Sequence, residues 1–117
     1  MTTATIEAVQ VQAAHDKAMA AARQAAQAFS NKHFNGRDGG ACGFAWVNVY
    51  KVRSNSKLGK ALSAVGFRKS YTGGLQLWNT WWPGQSVDAA EHGATAYATV
   101  LKQELGIDEI YSGSRLD

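Results

Sequence analysis

Phe44-Ala45-Trp46-Val47-Asn48-Val49-Tyr50 is the stretch on which the fold class turns. Five of its seven residues are aromatic or β-branched, the make-up of a pleated strand. Alternation puts Phe44, Trp46, Asn48 and Tyr50 on one face and Ala45, Val47 and Val49 on the other. Downstream, Ser54-Asn55-Ser56 offers caps for a short helix with Leu58, Ala61, Leu62 and Val65 on its inner side. Gly66 stops that helix, and Phe67 is the hydrophobic partner of the stop. Phe67 to Tyr71 predicts a second strand, and Thr72-Gly73-Gly74 a hairpin turn into a third, Leu75 to Trp81. Trp82-Pro83-Gly84-Gln85 breaks the chain. Ser86 or Asp88 then caps another helix, Asp88 and Glu91 fitting a capping box, with Ala90, Ala94, Tyr97, Leu101 and Leu105 as its buried stripe. Gly106 and Ile107 end it as Gly66 and Phe67 end the first, and Ile110-Tyr111 reads as a short last strand.

The two helix endings belong to a longer echo. Gly66 to Gly74 lines up with Gly106 to Ser114, and the preceding strands align Gly43 with Gly74, Asn48 with Asn79 and Tyr50 with Trp81. Taken as pseudo-symmetry, the order is β-α-β-β-α-β, a ferredoxin-like split βαβ antiparallel sheet packed by helices. Upstream, an alanine-rich run to about His33 predicts one long helix, capped by Thr3 or Thr5 with Glu7 at its positive end. Its apolar side takes in Ile6, Val9, Ala13, Ala14, Ala18, Ala21, Ala22, Ala25, Ala28 and Phe29. Alanine buries little area, so this helix needs bulky neighbours. The expected architecture is a single α+β domain over 1–117, with a helix over 1–34 and an α+β core over 42–117.

Charge is unevenly spread. The 49 residues between Asp38 and Asp88 contain no carboxylate, yet hold six of the twelve basic side chains and all four tryptophans. The block is +6 and the flanks are −3, for a net charge of +3. Lys51 and Arg53 lead into the short helix, Lys57 and Lys60 lie on it, and Arg68 and Lys69 begin the next strand. Basic side chains around a helix N-terminus, with no competing acid, point to an anion such as the phosphate of a nucleic acid or nucleotide.

The aromatic strand face poses its own question. Phe44, Trp46 and Tyr50, joined by Leu75, Leu77 and Trp81 if the internal alignment holds, would stand opposite the helices. Such a face could stack bases, and Trp82-Pro83-Gly84-Gln85 could close over a ligand or simply hold a buried tryptophan beside a turn. A surface of that size is also an aggregation liability, which favours cover by the alanine-rich helix or by a second copy in a homodimer. Phe44, Trp46, Tyr50, Trp81 and Trp82 are thus stacking or interface candidates.

Catalytic signals are weak. Cys42, the only cysteine, sits in no nucleophile motif and excludes an internal disulfide, consistent with a reducing, cytoplasmic setting. His15, His33 and His92 have no metal-ligand spacing, and no glycine pattern matches a nucleotide fingerprint. No apolar run is long enough for a membrane span, and no signal peptide is evident. No catalytic residue, metal site or cofactor is expected, and the reading leans away from an enzyme.

Gly40-Ala41-Cys42-Gly43-Phe44-Ala45-Trp46-Val47, the Gly66-Phe67 and Gly73-Gly74 turns and the closing Ser112-Gly113-Ser114-Arg115-Leu116-Asp117 look like small accessory proteins encoded by tailed bacteriophages. The resemblance covers residues 40–117. It implies a role in the host cytoplasm, binding or inhibiting a host component, and carries over no site residue. The expected function is a non-enzymatic accessory protein contacting a phosphate-bearing ligand through its basic central segment. The alternative is a protein-interaction module or inhibitor of a host protein that homodimerises through its aromatic face.

Overall fold

A computed structural model describes residues 5–117 of the chain. Its elements are α1 (Ala8–Phe34), β1 (Gly43–Val49), α2 (Lys57–Ala64), β2 (Arg68–Lys69), β3 (Leu75–Trp78), α3 (Val87–Leu105) and β4 (Ile110–Leu116). The four strands form one antiparallel sheet in the order β2-β3-β1-β4. The protein is α+β, with a long helix ahead of the sheet.

α1 begins at Ala8 because Glu7 is its N-cap, Gln10 Oε1 accepting the Glu7 amide at 2.7 Å. Thr5 is therefore not the cap, and Thr3 lies outside the described residues. Asn35 ends the helix in the left-handed region, φ 53°, and the Gly36 amide reaches back to the Ser30 carbonyl at 3.0 Å. The buried side is Val11, Ala14, Ala18, Met19, Ala22, Ala26 and Ser30, whereas Val9, Ala13 and Ala28 face out. Ala14, Ala18 and Ala22 are buried as expected, but Val11, Met19 and Ala26 join them, because alanines all round the helix leave its phase undetermined until a neighbour is chosen.

That neighbour is α3, with a smaller contact on α2. Small residues let the two backbones approach: a Cβ at Gly93 of α3 would stand 3.0 Å from the Ala22 carbonyl of α1. The bulky partners are Tyr97, whose hydroxyl lies 2.8 Å from His15 Nδ1, and Trp81, stacked on Tyr97 with ring centroids 5.9 Å apart. Burial holds His15 below the usual imidazole value and raises the Tyr97 phenol, so the neutral pair is favoured.

α2 and α3 start and stop on local chemistry. Ser56 Oγ accepts the Gly59 amide at 3.0 Å, and Ser86 Oγ accepts the Ala89 amide at 3.2 Å. Asp88 instead sits in the first turn of α3, so Ser86 is its cap and the expected Asp88 box is not formed. Phe67 is fully buried after Gly66, and Gly106 caps α3 at φ 66°.

The strands differ from expectation in length, for readable reasons. β2 stops at Lys69 because Ser70 to Gly74 form the turn, closed by Gly73 N to Ser70 O and Ser70 N to Gly74 O, both 3.2 Å. β3 stops at Trp78 because Asn79 redirects the chain: its Oδ1 accepts the Trp81 and Trp82 amides at 3.1 and 3.0 Å. β4 is seven residues long and pairs with all of β1, from Gly43↔Leu116 to Val49↔Ile110. Its serines gave no apolar alternation because the helix-facing side is hydrogen-bonded to α3, Ser112 to Thr95 and Ser114 to Glu91.

Register decides the faces. Val47↔Leu77 and Val49↔Leu75 lie on the helix side with Ile110, and all five are buried. Leu75, Leu77 and Trp81 therefore do not join the aromatic face. The internal alignment fails here: it matches Asn48 with Asn79 and Tyr50 with Trp81, yet Asn79 and Trp81 lie beyond the end of β3 and Trp81 is buried.

Candidate functional site: an open aromatic sheet face

Across the two central strands, Trp46 and Trp78 are direct neighbours with ring centroids 5.1 Å apart. Phe44 meets Trp78 edge-on at 6.0 Å. Phe44 and Trp78 remain 40% and 43% exposed, so α1 does not lie over this face. Trp46 is half-buried because its indole rests on Gly113 of β4: a Cβ there would come within 2.6 Å of Nε1. Arg115, opposite Phe44, holds its guanidinium carbon 5.3 Å from the Phe44 ring centroid. Towards the other end Tyr50 and Tyr111 pack at 5.9 Å. The Tyr111 phenol donates to Glu109 Oε2 at 3.2 Å, a bond that pushes its pKa up.

These rings border a depression of about 430 Å³. Trp46, Trp78 and Tyr50 line it, with Arg115 at one side and Ser70, Tyr71 and Thr72 of the β2–β3 turn along the rim. Tyr71 is fully exposed and touches no ring of the described residues closely enough to pack. Asn48 and Gln76, paired across β1 and β3, supply the polar lining. Asn48 is 7% exposed, and its buried Oδ1 has no hydrogen-bond partner among the described residues. A buried carbonyl oxygen without a donor costs roughly 1–3 kcal/mol, and most buried polar atoms avoid that state. No residue lining the depression is acidic.

The basic residues expected to hold phosphate are placed differently from one another. Lys51, at φ 59° just past β1, pairs with Glu109 at 3.4 Å. Lys57 pairs with Glu7 at 2.6 Å, joining the starts of α2 and α1. Acids remote in sequence thus reach half of the four-residue cluster around α2, while Arg53 and Lys60 are exposed and form no ion pair among the described residues. Arg68 stands opposite Gln76 in register, but its Nη1 turns to the carbonyls of Phe67 (2.9 Å) and Ser63 (3.4 Å). Lys69 is exposed on the same edge strand.

Trp81 and Trp82 are not on this face. Both are buried: Trp81 Nε1 donates to the Ala90 carbonyl and Trp82 Nε1 to Asp38 Oδ1, each at 2.8 Å. They are core residues because the Asn79 turn swings them inward. Sequence reading missed Trp78, Gln76, Tyr111 and Arg115. The signal was present as period-two spacing in Gln76/Trp78 and Tyr111/Gly113/Arg115, masked by an over-long third strand and a truncated fourth.

Among the described residues no group of three or more His, Cys, Asp or Glu could hold a metal ion, and no helix is long and apolar enough to cross a membrane. Cys42 is exposed, its Sγ 3.4 Å from Gln85 Oε1, and His92 stacks on Phe29 at 4.2 Å. No family model, curated protein or solved structure matches the chain.

Proposed function

We infer that this protein is a non-enzymatic binding protein that takes single-stranded nucleic acid across its open sheet face. The observation that carries the reading is the depression on that face, with stacking rings, an arginine, no acid, and a buried carbonyl oxygen lacking a donor. Rings on a sheet accept unstacked bases of any identity, each stack contributing roughly 1–3 kcal/mol. Arg115 and the exposed cations of the central segment, Arg53, Lys60 and Lys69, provide for the phosphates. The strand order β2-β3-β1-β4 supports reading the core as a ferredoxin-like split βαβ unit to which α1 is added. The resemblance to phage accessory proteins fits a role in the host cytoplasm.

The test is fluorescence anisotropy with single-stranded DNA and RNA at several salt concentrations. Binding should weaken steeply as salt rises, and Trp78→Ala should weaken it about tenfold or more while leaving the melting temperature nearly unchanged. Salt-independent or undetectable binding removes the reading, as does a Trp78→Ala protein that binds like the parent. The exposure of Phe44, Trp78 and Tyr71 favours one second reading, a homodimer or partner contact through the same face. Its signature is a mass that rises with concentration and returns to monomer in Trp78→Ala.

A further inference from the structure

We propose that the depression over Asn48 is a base-selective seat, taking a nucleobase with an exocyclic amine, adenine foremost. This rests on the single-strand reading above and adds to it a chemical preference. Stacking on Trp46 and Trp78 cannot supply one, because every base has a π-face. Asn48 can. It lines the depression, and its Oδ1 is an acceptor enclosed by the sheet that lacks a donor among the described residues. A turn of the amide about its χ2 carries that acceptor to the mouth of the depression, where a ligand N–H can satisfy it.

The neighbouring groups narrow the donor. Gln76 stands directly across from Asn48, so two amides face the same space from adjacent strands. An amide offers an acceptor beside a donor, and asparagine or glutamine pairs in this way with an adenine amine and its adjoining ring nitrogen. The aromatic wall can hold the base plane while the amide edge is read, and Tyr71 on the rim is free to fold onto the outer face of the base. The absence of any carboxylate from the lining leaves no anionic group in the depression to compete for the ligand amine or to repel phosphate.

The experiment compares two single strands that differ at the stacked positions only, one carrying adenine and the other the purine lacking the amine. The parent protein should bind the adenine strand on the order of five- to tenfold more tightly. Asn48→Leu, close in shape and without polar atoms, should bind both strands equally and keep their salt dependence. Its melting temperature should be unchanged or raised, because an unpartnered buried oxygen has been removed. Equal binding of the two strands by the parent protein overturns the seat while leaving the single-strand reading intact, and this holds even where Asn48→Leu fails to fold. Preference retained in a folded Asn48→Leu also overturns it. No binding of either strand removes the functional reading and the seat together.

Discussion

Asp38 shows how one side chain can close a fold from its periphery. Its Oδ2 accepts the Gln85 amide at 2.8 Å, and Oδ1 accepts the Ser86 amide at 2.9 Å and the Trp82 indole N–H at 2.8 Å. The loop before β1 is thereby tied to the start of α3. The Gln85 amide is the main reason its carboxyl is held below the ordinary value of 3.8, helped by Trp82, Ser86 and Gly39. Because the folded pKa is depressed, the contribution is fully present above the ordinary value and is lost as pH falls through the lowered folded one. Asp38→Ala should cost about 1–2 kcal/mol at pH 7, modest because the site faces solvent, and should flatten the acid side of the stability curve below pH 4. Melting temperatures of both proteins from pH 3 to 7 check this. The sequence marked Asp38 only as the border of the acid-free block. Apart from Gly39, its partners lie more than forty residues away, and nothing local announces them.

At the scale of elements, helix ends were legible and strand ends were not. Ser56, Ser86, Gly66 and Gly106 act through contacts within a few residues, so their roles can be read from spacing. A strand ends where its partner ends or where a turn intervenes, as at Asn79, and that is a property of the sheet. The contact of α1 with α3 is likewise invisible locally, although Gly93 hints at it. A methyl group at Gly93 would enter the Trp81 indole on one side and reach the Ala22 carbonyl on the other. Trp81 cannot withdraw, being buried and bonded to the Ala90 carbonyl. Gly93→Ala gains roughly 1 kcal/mol of helix propensity but meets an overpacking cost of about 1–3 kcal/mol at a rigid site. It should therefore destabilise by up to about 2 kcal/mol in urea or guanidinium unfolding. An increase in stability would show that α1 and α3 can separate without penalty.

The whole molecule is layered: α1 on α3, the helices on one sheet face, and the other face open. This arrangement brings Glu7 and Glu109 from the acidic flanks to Lys57 and Lys51 of the basic block, and leaves Arg53 and Lys60 uncompensated. Exposed pairs of this kind contribute about 0–1 kcal/mol to stability but do lower the local field. Replacing Arg53, Lys57 and Lys60 together with glutamine should therefore spare the fold and flatten the salt dependence of single-strand binding. The log–log slope should fall by about 1–2, because Lys57 is already engaged. An unchanged slope would confine the phosphate path to Arg115 and the sheet edge.

The amino-acid order by itself determined what neighbours within one turn or one strand can decide. Those are the α+β class, the two capped helices, the aliphatic inner side of β1 and the surplus of cations in the middle of the chain. Only the tertiary structure decided the phase of α1, the register that seats Trp78 beside Trp46 and sends Trp81 and Trp82 inward, and the stranded oxygen of Asn48. The physical reason is range. Caps and alternation act over one to four residues, whereas register, ion pairing and hydrogen-bond satisfaction join groups tens of residues apart that meet only when the sheet closes.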